Sequence, residues 1–266
     1  RCHLEGALAL SKEAHWNQVG ADWQLMMKAG NAIGMEAPGG RLVASALALP
    51  YGNSFGWISM VLVTADWRKK GLATRLLQSC IEQLESSGLT PVLDATPAGE
   101  NVYRPLGFLP HFGFQRWEHD AVETVNVQTQ PHDEVTVDDI SWIDGQVFGG
   151  ARPAVLESLT ARSSRFSCSD KTSDGYLLGR DGRVASQIGP IFTSDTASAL
   201  IMLDHALAKL RGRVFIDACD HQSEFITRLK QYGFKPQRPF LRMAKDRKEC
   251  FGDPAKMFAM AGPELG

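Results

Sequence analysis

One stretch constrains this chain more than any other: WISMVLVTADWRKKGLATRLL, residues 57–77. From Trp57 to Val63 it is apolar and rich in β-branched residues, which reads as a buried strand. Leu72, Ala73, Leu76, Leu77, Cys80, Ile81 and Leu84 then recur at helical spacing and predict one apolar helix face. Between strand and helix lies a short basic turn, Arg68-Lys69-Lys70-Gly71. The first N–H groups of a helix have no partner inside it and carry the positive end of the dipole. A glycine just before them lets a bulky anion approach the backbone. Strand, basic turn and helix start together predict a phosphate or pyrophosphate site. The spacing is neither GxxxxGK[ST] nor GxGxxG, so it is not a Walker loop or a dinucleotide fingerprint.

The order is V-x-x-x-x-R-x-x-G-x-A, with Val61-Leu62-Val63 ending the strand and Arg68, Gly71 and Ala73 in the turn. This resembles the pyrophosphate loop of the GNAT family, the Gcn5-related N-acetyltransferases. A second element follows in the expected order: Asn101-Val102-Tyr103-Arg104-Pro105-Leu106-Gly107-Phe108 is similar to the family's N-x-x-x-Y-x-x-x-GF, shortened between Asn and Tyr. The motif resemblance covers residues 40–115. It implies an α/β (α+β) fold with a mixed, mostly antiparallel sheet flanked by helices. It also implies acetyl-CoA as cosubstrate, no metal, and an amine that attacks the thioester directly in a ternary complex. By the resemblance, the backbone of Arg68, Lys69, Lys70, Gly71, Leu72, Ala73 and Thr74 would hold the pyrophosphate. Val61, Leu62 and Val63 would line the pantetheine arm, with a backbone N–H near Val61 polarising the carbonyl. Asn101 would bond the arm, and Tyr103 would protonate the leaving thiolate. The base stays open among Asp94, Glu118, His111 and a water chain. Many relatives carry a Glu on the central strand, and residues 57–63 have no carboxylate. Asp94 is carried as a catalytic candidate, against a structural reading suggested by its twin, Asp217.

Composition narrows the alternatives. A net charge of −2 over 266 residues argues against a nucleic-acid surface. No apolar run approaches the ~20 residues of a membrane span, and no basic segment followed by an apolar core marks a leader. Cys2, Cys80, Cys168, Cys219 and Cys250 are scattered, without CxxC or zinc spacing. Reduced thiols and a cytoplasmic location are the expectation.

Along the chain, helices are expected at residues 4–10 and 21–29, a hairpin at 32–49, a strand at 90–95 and a short helix at 100–106. Ser87-Gly88 should end the central helix. After a polar stretch the second half repeats the first in outline. Arg41-Leu42-Val43-Ala44-Ser45 matches Arg183-Val184-Ala185-Ser186, and Val92-Leu93-Asp94-Ala95 matches Phe215-Ile216-Asp217-Ala218. Leu106-Gly107-Phe108 matches Tyr232-Gly233-Phe234. An internal repeat is the simplest account, giving two tandem GNAT-like domains, residues 1–125 and 126–266, with a last strand of the first at 124–128. The second copy has Thr193-Ser194-Asp195 where the basic turn should be. A carboxylate there repels a pyrophosphate, so the second copy is not expected to hold the donor in the same way. The second would cover the sheet, shape the acceptor site or form a homodimer. The expected acceptor is a small-molecule amine or amino acid, with a peptide amine second. Trp16, Tyr51, Trp57 and Trp117 either line its pocket or fill a core. The competing class is a non-catalytic acyl-CoA sensor, suggested by the missing carboxylate.

Overall fold

The computed structural model describes residues 3–122, 135–163, 165–170 and 175–266. The chain divides into two compact units, Arg1–Leu93 and Asp94–Gly266.

In the first unit, helices α1 (Leu4–Glu13) and α2 (Gly20–Ala29) precede the strands β1 (Asn31–Glu36), β2 (Leu42–Tyr51) and β3 (Phe55–Val63). These pair antiparallel in sequence order, β1 to β2 and β2 to β3. Helix α3 (Leu72–Ser86) returns the chain to β4 (Thr90–Ala95), which runs parallel to β3. The predicted face of α3 forms: Leu72, Leu76, Leu77, Cys80, Ile81 and Leu84 are buried. Burial of each large aliphatic side chain contributes about 1.5–3 kcal/mol. Contact with the sheet is close at Gly56, where any Cβ would lie 2.2 Å from a methyl of Leu84.

The second unit starts within β4. It continues through α4 (Pro97–Tyr103), a 3-10 turn (Arg104–Leu106), β5 (Phe108–Val122), α5 (Val137–Phe148) and α6 (Pro153–Ser163). Then come β6 (Cys168–Asp170), β7 (Gly175–Arg180), β8 (Ser186–Phe192), α7 (Thr196–Lys209) and β9 (Gly212–Cys219). Helix α8 (Ser223–Gln231), β10 (Lys235–Lys245) and β11 (Met257–Met260) complete it. Its strands lie in the order β10-β5-β9-β11-β8-β7-β6. The core gathers Leu203, Leu207, Val214, Ile216, Phe225 and Phe258 from α7, β9, α8 and β11.

The repeat is visible in element order. Two helices, strands, a strand–helix–strand unit, a short helix and a long strand occur in each half, with β8–α7–β9–α8–β10 echoing β3–α3–β4–α4–β5. The boundary placed at residues 125/126, and the strand at 124–128, lie outside the described residues. Contacts divide the chain earlier because β5 is one continuous strand. It pairs antiparallel with β10 on one side and with β9 on the other, so it packs among strands of the second half. Helix α4 starts three residues before the expected position, with Thr96 accepting from Gly99 N–H (3.2 Å) and Pro97 in its first turn. Proline suits that place because the missing N–H has no helical partner. Pro105 falls in the 3-10 turn that follows.

Candidate active site

Strand β3 is interrupted where the chemistry was expected. Met60 takes a left-handed conformation, φ 53°. The register against β2 slips there: Leu47 faces Ser59, but Ser45 faces Leu62. This is a β-bulge, which bends a strand and re-aims its backbone groups. Ser45 donates to the Met60 carbonyl at 2.9 Å and holds the bulge. On the other side, β3 pairs with β4 only from Phe55 to Trp57 (with Thr90 to Val92). From Ile58 to Val63 no strand pairs on that side among the described residues. Val61 and Val63 are half-buried there, while Leu62 is buried.

Beyond Val63 the chain is braced before the basic turn. Asp66 accepts from Thr64 Oγ1 at 2.7 Å and from Arg41 Nη2 at 2.6 Å. These bonds hold its carboxyl below the usual range, the Thr64 hydroxyl first. Glu13 accepts from Ala65 N–H (2.6 Å), and Arg68 Nε donates to the Val63 carbonyl (3.1 Å). The Lys70 ammonium lies 4.5 Å from the centre of the Trp67 ring. Arg68, Lys69, Lys70 and Gly71 are exposed. Gly71 caps α3 with φ 75° and no side-chain bond, and a Cβ there would meet nothing within 4 Å. The first helical bond runs from Arg75 N–H to the Gly71 carbonyl (3.1 Å). The N–H groups of Leu72, Ala73 and Thr74 precede it, at the positive end of the helix beside three cations.

The remaining predicted residues belong to the second unit. The Tyr103 ring lies 5.9 Å from that of Phe108 and against Gly99, where a Cβ would sit 2.8 Å from ring carbon Cε2. Burial raises its phenol above the ordinary value. Asn101 is exposed, its amide 3.4 Å from the Pro97 carbonyl. Asp94 is bound at both oxygens by Arg242, Nε and Nη2 each at 3.0 Å, and its side chain is fully shielded. Burial raises its carboxyl and Arg242 opposes the shift. The twin is built alike: Arg116 Nε and Nη2 hold Asp217 at 2.8 and 2.7 Å. Glu118 accepts from Arg213 (2.7 Å) and Gln237 (2.6 Å). His111 is half-buried, with Nε2 3.1 Å from the Arg247 carbonyl; burial lowers its imidazole below the ordinary 6.5. A carbonyl only accepts, so Nε2 carries the hydrogen and Nδ1 is the basic nitrogen.

The second copy is closed at both points where the first is open. At the start of α7, Asp195 accepts from Ser198 N–H and from its hydroxyl, each at 2.9 Å. The carboxylate sits where an incoming anion would bind, held below its usual range by those bonds. Strands β8 and β9 run parallel from Ser186 to Ile188 (with Val214 to Ile216) and then part. Strand β11 fills the gap, pairing with Ile191 and Phe192 of β8 and with Asp217 and Ala218 of β9. Met257, Phe258, Ala259 and Met260 are buried there.

Sequence reasoning missed the bulge, the Thr64–Asp66–Arg41 brace and the intrusion of β11. The run MFAMAG marks an apolar segment that docks, but carries no sign of which strands it joins. Cys80, Cys168 and Cys219 are buried free thiols, and burial pushes Cys80 and Cys168 to about 12, leaving them unreactive. Among the described residues there is no cluster of side chains fit for a metal, and no helix is long and apolar enough to cross a membrane.

Residues 11–108 match the model of the Acetyltransferase (GNAT) family, and residues 140–259 match that of an Acetyltransferase (GNAT) domain. An uncharacterised N-acetyltransferase of Bacillus subtilis, YitH, is 22% identical over 241 residues, spanning 87% of this chain and 84% of the relative. A candidate acetyltransferase from Pyrococcus horikoshii has the same fold, with a TM-score of 0.82 at 16% identity over 99% of this chain and 92% of that one. A tandem GNAT protein from the clavulanic acid biosynthesis pathway, solved without AcCoA, has a TM-score of 0.61 at 13% identity over 92% and 95%. Both halves match one family, each carries the strand–helix–strand unit with parting strands, and the chain is a tandem member of the GNAT acetyltransferases.

Proposed function

We propose that the chain transfers an acetyl group from acetyl-CoA to the primary amine of a small molecule or amino acid, by direct attack in a ternary complex. The observation that carries this reading is the open start of α3. The three N–H groups of Leu72, Ala73 and Thr74 follow a left-handed glycine and three exposed cations, with no side chain capping them. The equivalent place in the second copy is stoppered by Asp195.

In this reading the backbone from Arg68 to Thr74 takes the pyrophosphate, as helix starts take anions. The unpaired edge of β3 at Val61, Leu62 and Val63 receives the amides of the pantetheine arm as a neighbouring strand would. The bulge at Met60 frees the N–H near Val61 from regular pairing, and that group polarises the thioester carbonyl. The family resemblance gives Tyr103 the part of the acid for the leaving thiolate and Asn101 that of a donor contact. Of the three candidate bases, Asp94 and Glu118 are held in ion pairs, and Asp94 serves the frame. His111, its imidazole lowered by burial and Nδ1 basic, is the remaining candidate for the base that takes the ammonium proton. The amine then forms its bond to the carbonyl carbon as the C–S bond breaks.

The missing carboxylate on β3 favours one other reading, an acyl-CoA sensor without turnover. Thermal unfolding with acetyl-CoA, CoA and ATP tests the donor site. A ligand that binds only the native state raises the midpoint. Acetyl-CoA and CoA should raise it, ATP less, and Arg68→Glu should abolish the rise. No rise at saturating acetyl-CoA overturns both readings. A rise without amine-dependent release of free CoA leaves the sensor.

A further inference from the structure

Strand β3 carries a single hydroxyl, Ser59, immediately before the bulge. Ser59 is only 7% exposed, and its Oγ is buried with no hydrogen-bond partner. Buried polar atoms are nearly always bonded, and an orphan calls for a missing partner. The neighbouring hydroxyl, Ser45, does have one, the Met60 carbonyl.

Register shows which way Ser59 points. Directly paired residues of antiparallel strands face the same side, and side chains alternate along a strand. Ser59 pairs with Leu47 and Trp57 with Leu49. Gly34 pairs with Ser45, on the same face of β2 as Leu47, and a Cβ there would sit 2.6 Å from Leu42, against which Gly6 of α1 packs. Gly56, of opposite parity, faces Leu84 of α3. Ser59 therefore faces the layer of α1 and α2. That layer holds a second orphan acceptor, Oε1 of Gln18, in the segment joining the two helices. Both atoms accept hydrogen bonds, and an amine is a donor.

We infer that Ser59 Oγ is the contact for the acceptor amine, holding its N–H on the α1/α2 side of β3 beside the bulge that presents the thioester. The inference rests on the donor site proposed above. A serine hydroxyl is too weak a base to take the amine's proton; its work is to accept one N–H and fix the direction of the lone pair. Gln18 supplies a second acceptor in the same layer.

The test compares the full chain with Ser59→Ala and Ser59→Thr, using acetyl-CoA and a panel of primary amines including L-lysine, spermidine and benzylamine. Three readouts separate the outcomes. Without ligand, Ser59→Ala should unfold at the same temperature or higher, since it removes a buried hydroxyl that bonds nothing in the fold. The acetyl-CoA midpoint shift should be unchanged. Amine-dependent kcat/KM should fall roughly tenfold, the size of one hydrogen bond, with acetyl-CoA hydrolysis unaltered and Thr restoring transfer. A lowered midpoint for Ser59→Ala overturns the inference, because the hydroxyl then has a structural partner. Unchanged amine kinetics overturns it as well. Absence of any amine-dependent turnover by the wild type, with its acetyl-CoA shift intact, overturns the amine assignment. A missing shift in the wild type instead overturns the donor site.

Discussion

At the residue scale, environment divides the candidate acids and bases more sharply than residue type does. Asp94 stands among the catalytic candidates with a structural reading suggested by its twin, and the buried Arg242–Asp94 and Arg116–Asp217 pairs are alike in geometry. The arginines themselves were not legible, because they lie more than 100 residues away in sequence from the carboxylates they bind. Tyr103 and His111 have pKa values pushed in opposite directions. Burial keeps the phenol protonated above the ordinary 10.0, so the acid form is loaded throughout the neutral range. Burial keeps the imidazole unprotonated below the ordinary 6.5, so the base form is loaded too. The amine-transfer rate should therefore show an acid limb below pH 6.5 that disappears in His111→Gln. Its alkaline limb should lie above pH 10 and disappear in Tyr103→Phe. For Tyr103→Phe, kcat should fall roughly 10²-fold with KM for acetyl-CoA unchanged. A pH–rate profile identical in wild type and His111→Gln moves the base to another group or to water.

At the scale of elements, the strand–turn–helix unit was legible because periodicity specifies it from both ends. The run to Val63 has strand character and the Leu72–Leu84 pattern has helical character, leaving the turn between them no other role. The bulge at Met60 was not legible, since nothing local demands a left-handed methionine; the conformation is imposed by pairing with β2 and by Ser45. Gly71 separates the two functions of this unit. Its φ of 75° disfavours any Cβ, yet a Cβ would touch nothing in the protein. Gly71→Ala should lose about 1 kcal/mol of stability in urea unfolding, from backbone strain alone. Gly71→Asn should recover part of it, because asparagine tolerates the left-handed region. Both should weaken acetyl-CoA binding by a similar factor, since both place a Cβ where the pyrophosphate would approach. If Gly71→Asn binds acetyl-CoA like the wild type, the anion does not approach the turn from that side.

At the scale of the whole molecule, a repeated fold does not mean a repeated site. Tandem organisation was legible from paired motifs such as Leu106-Gly107-Phe108 and Tyr232-Gly233-Phe234, since each needs a glycine in the left-handed region and buries the phenylalanine after it. The fate of the second groove was only half legible. Asp195 announced a helix start hostile to a pyrophosphate, and the bond by which it caps that helix was not read from its position. The filling of the parted strands by β11 depends on pairings across 40–70 residues of chain, which no local pattern reports. Two independent obstructions in one copy, and none of the same kind among the described residues of the other, predict a count. Isothermal titration of the full chain with acetyl-CoA should give one site per chain, and Arg68→Glu should remove it altogether. Opening one obstruction should not create a second site. Asp195→Gly frees the N–H of Ser198, but β11 still occupies the strand edges that the pantetheine arm would need. Its cost should be that of a lost helix cap, at most about 2 kcal/mol, with the stoichiometry still one. Two sites in the wild type would mean that β11 leaves its place between β8 and β9 when acetyl-CoA is present. A second site appearing only in Asp195→Gly would mean that the carboxylate alone closes the copy and that β11 yields to the ligand.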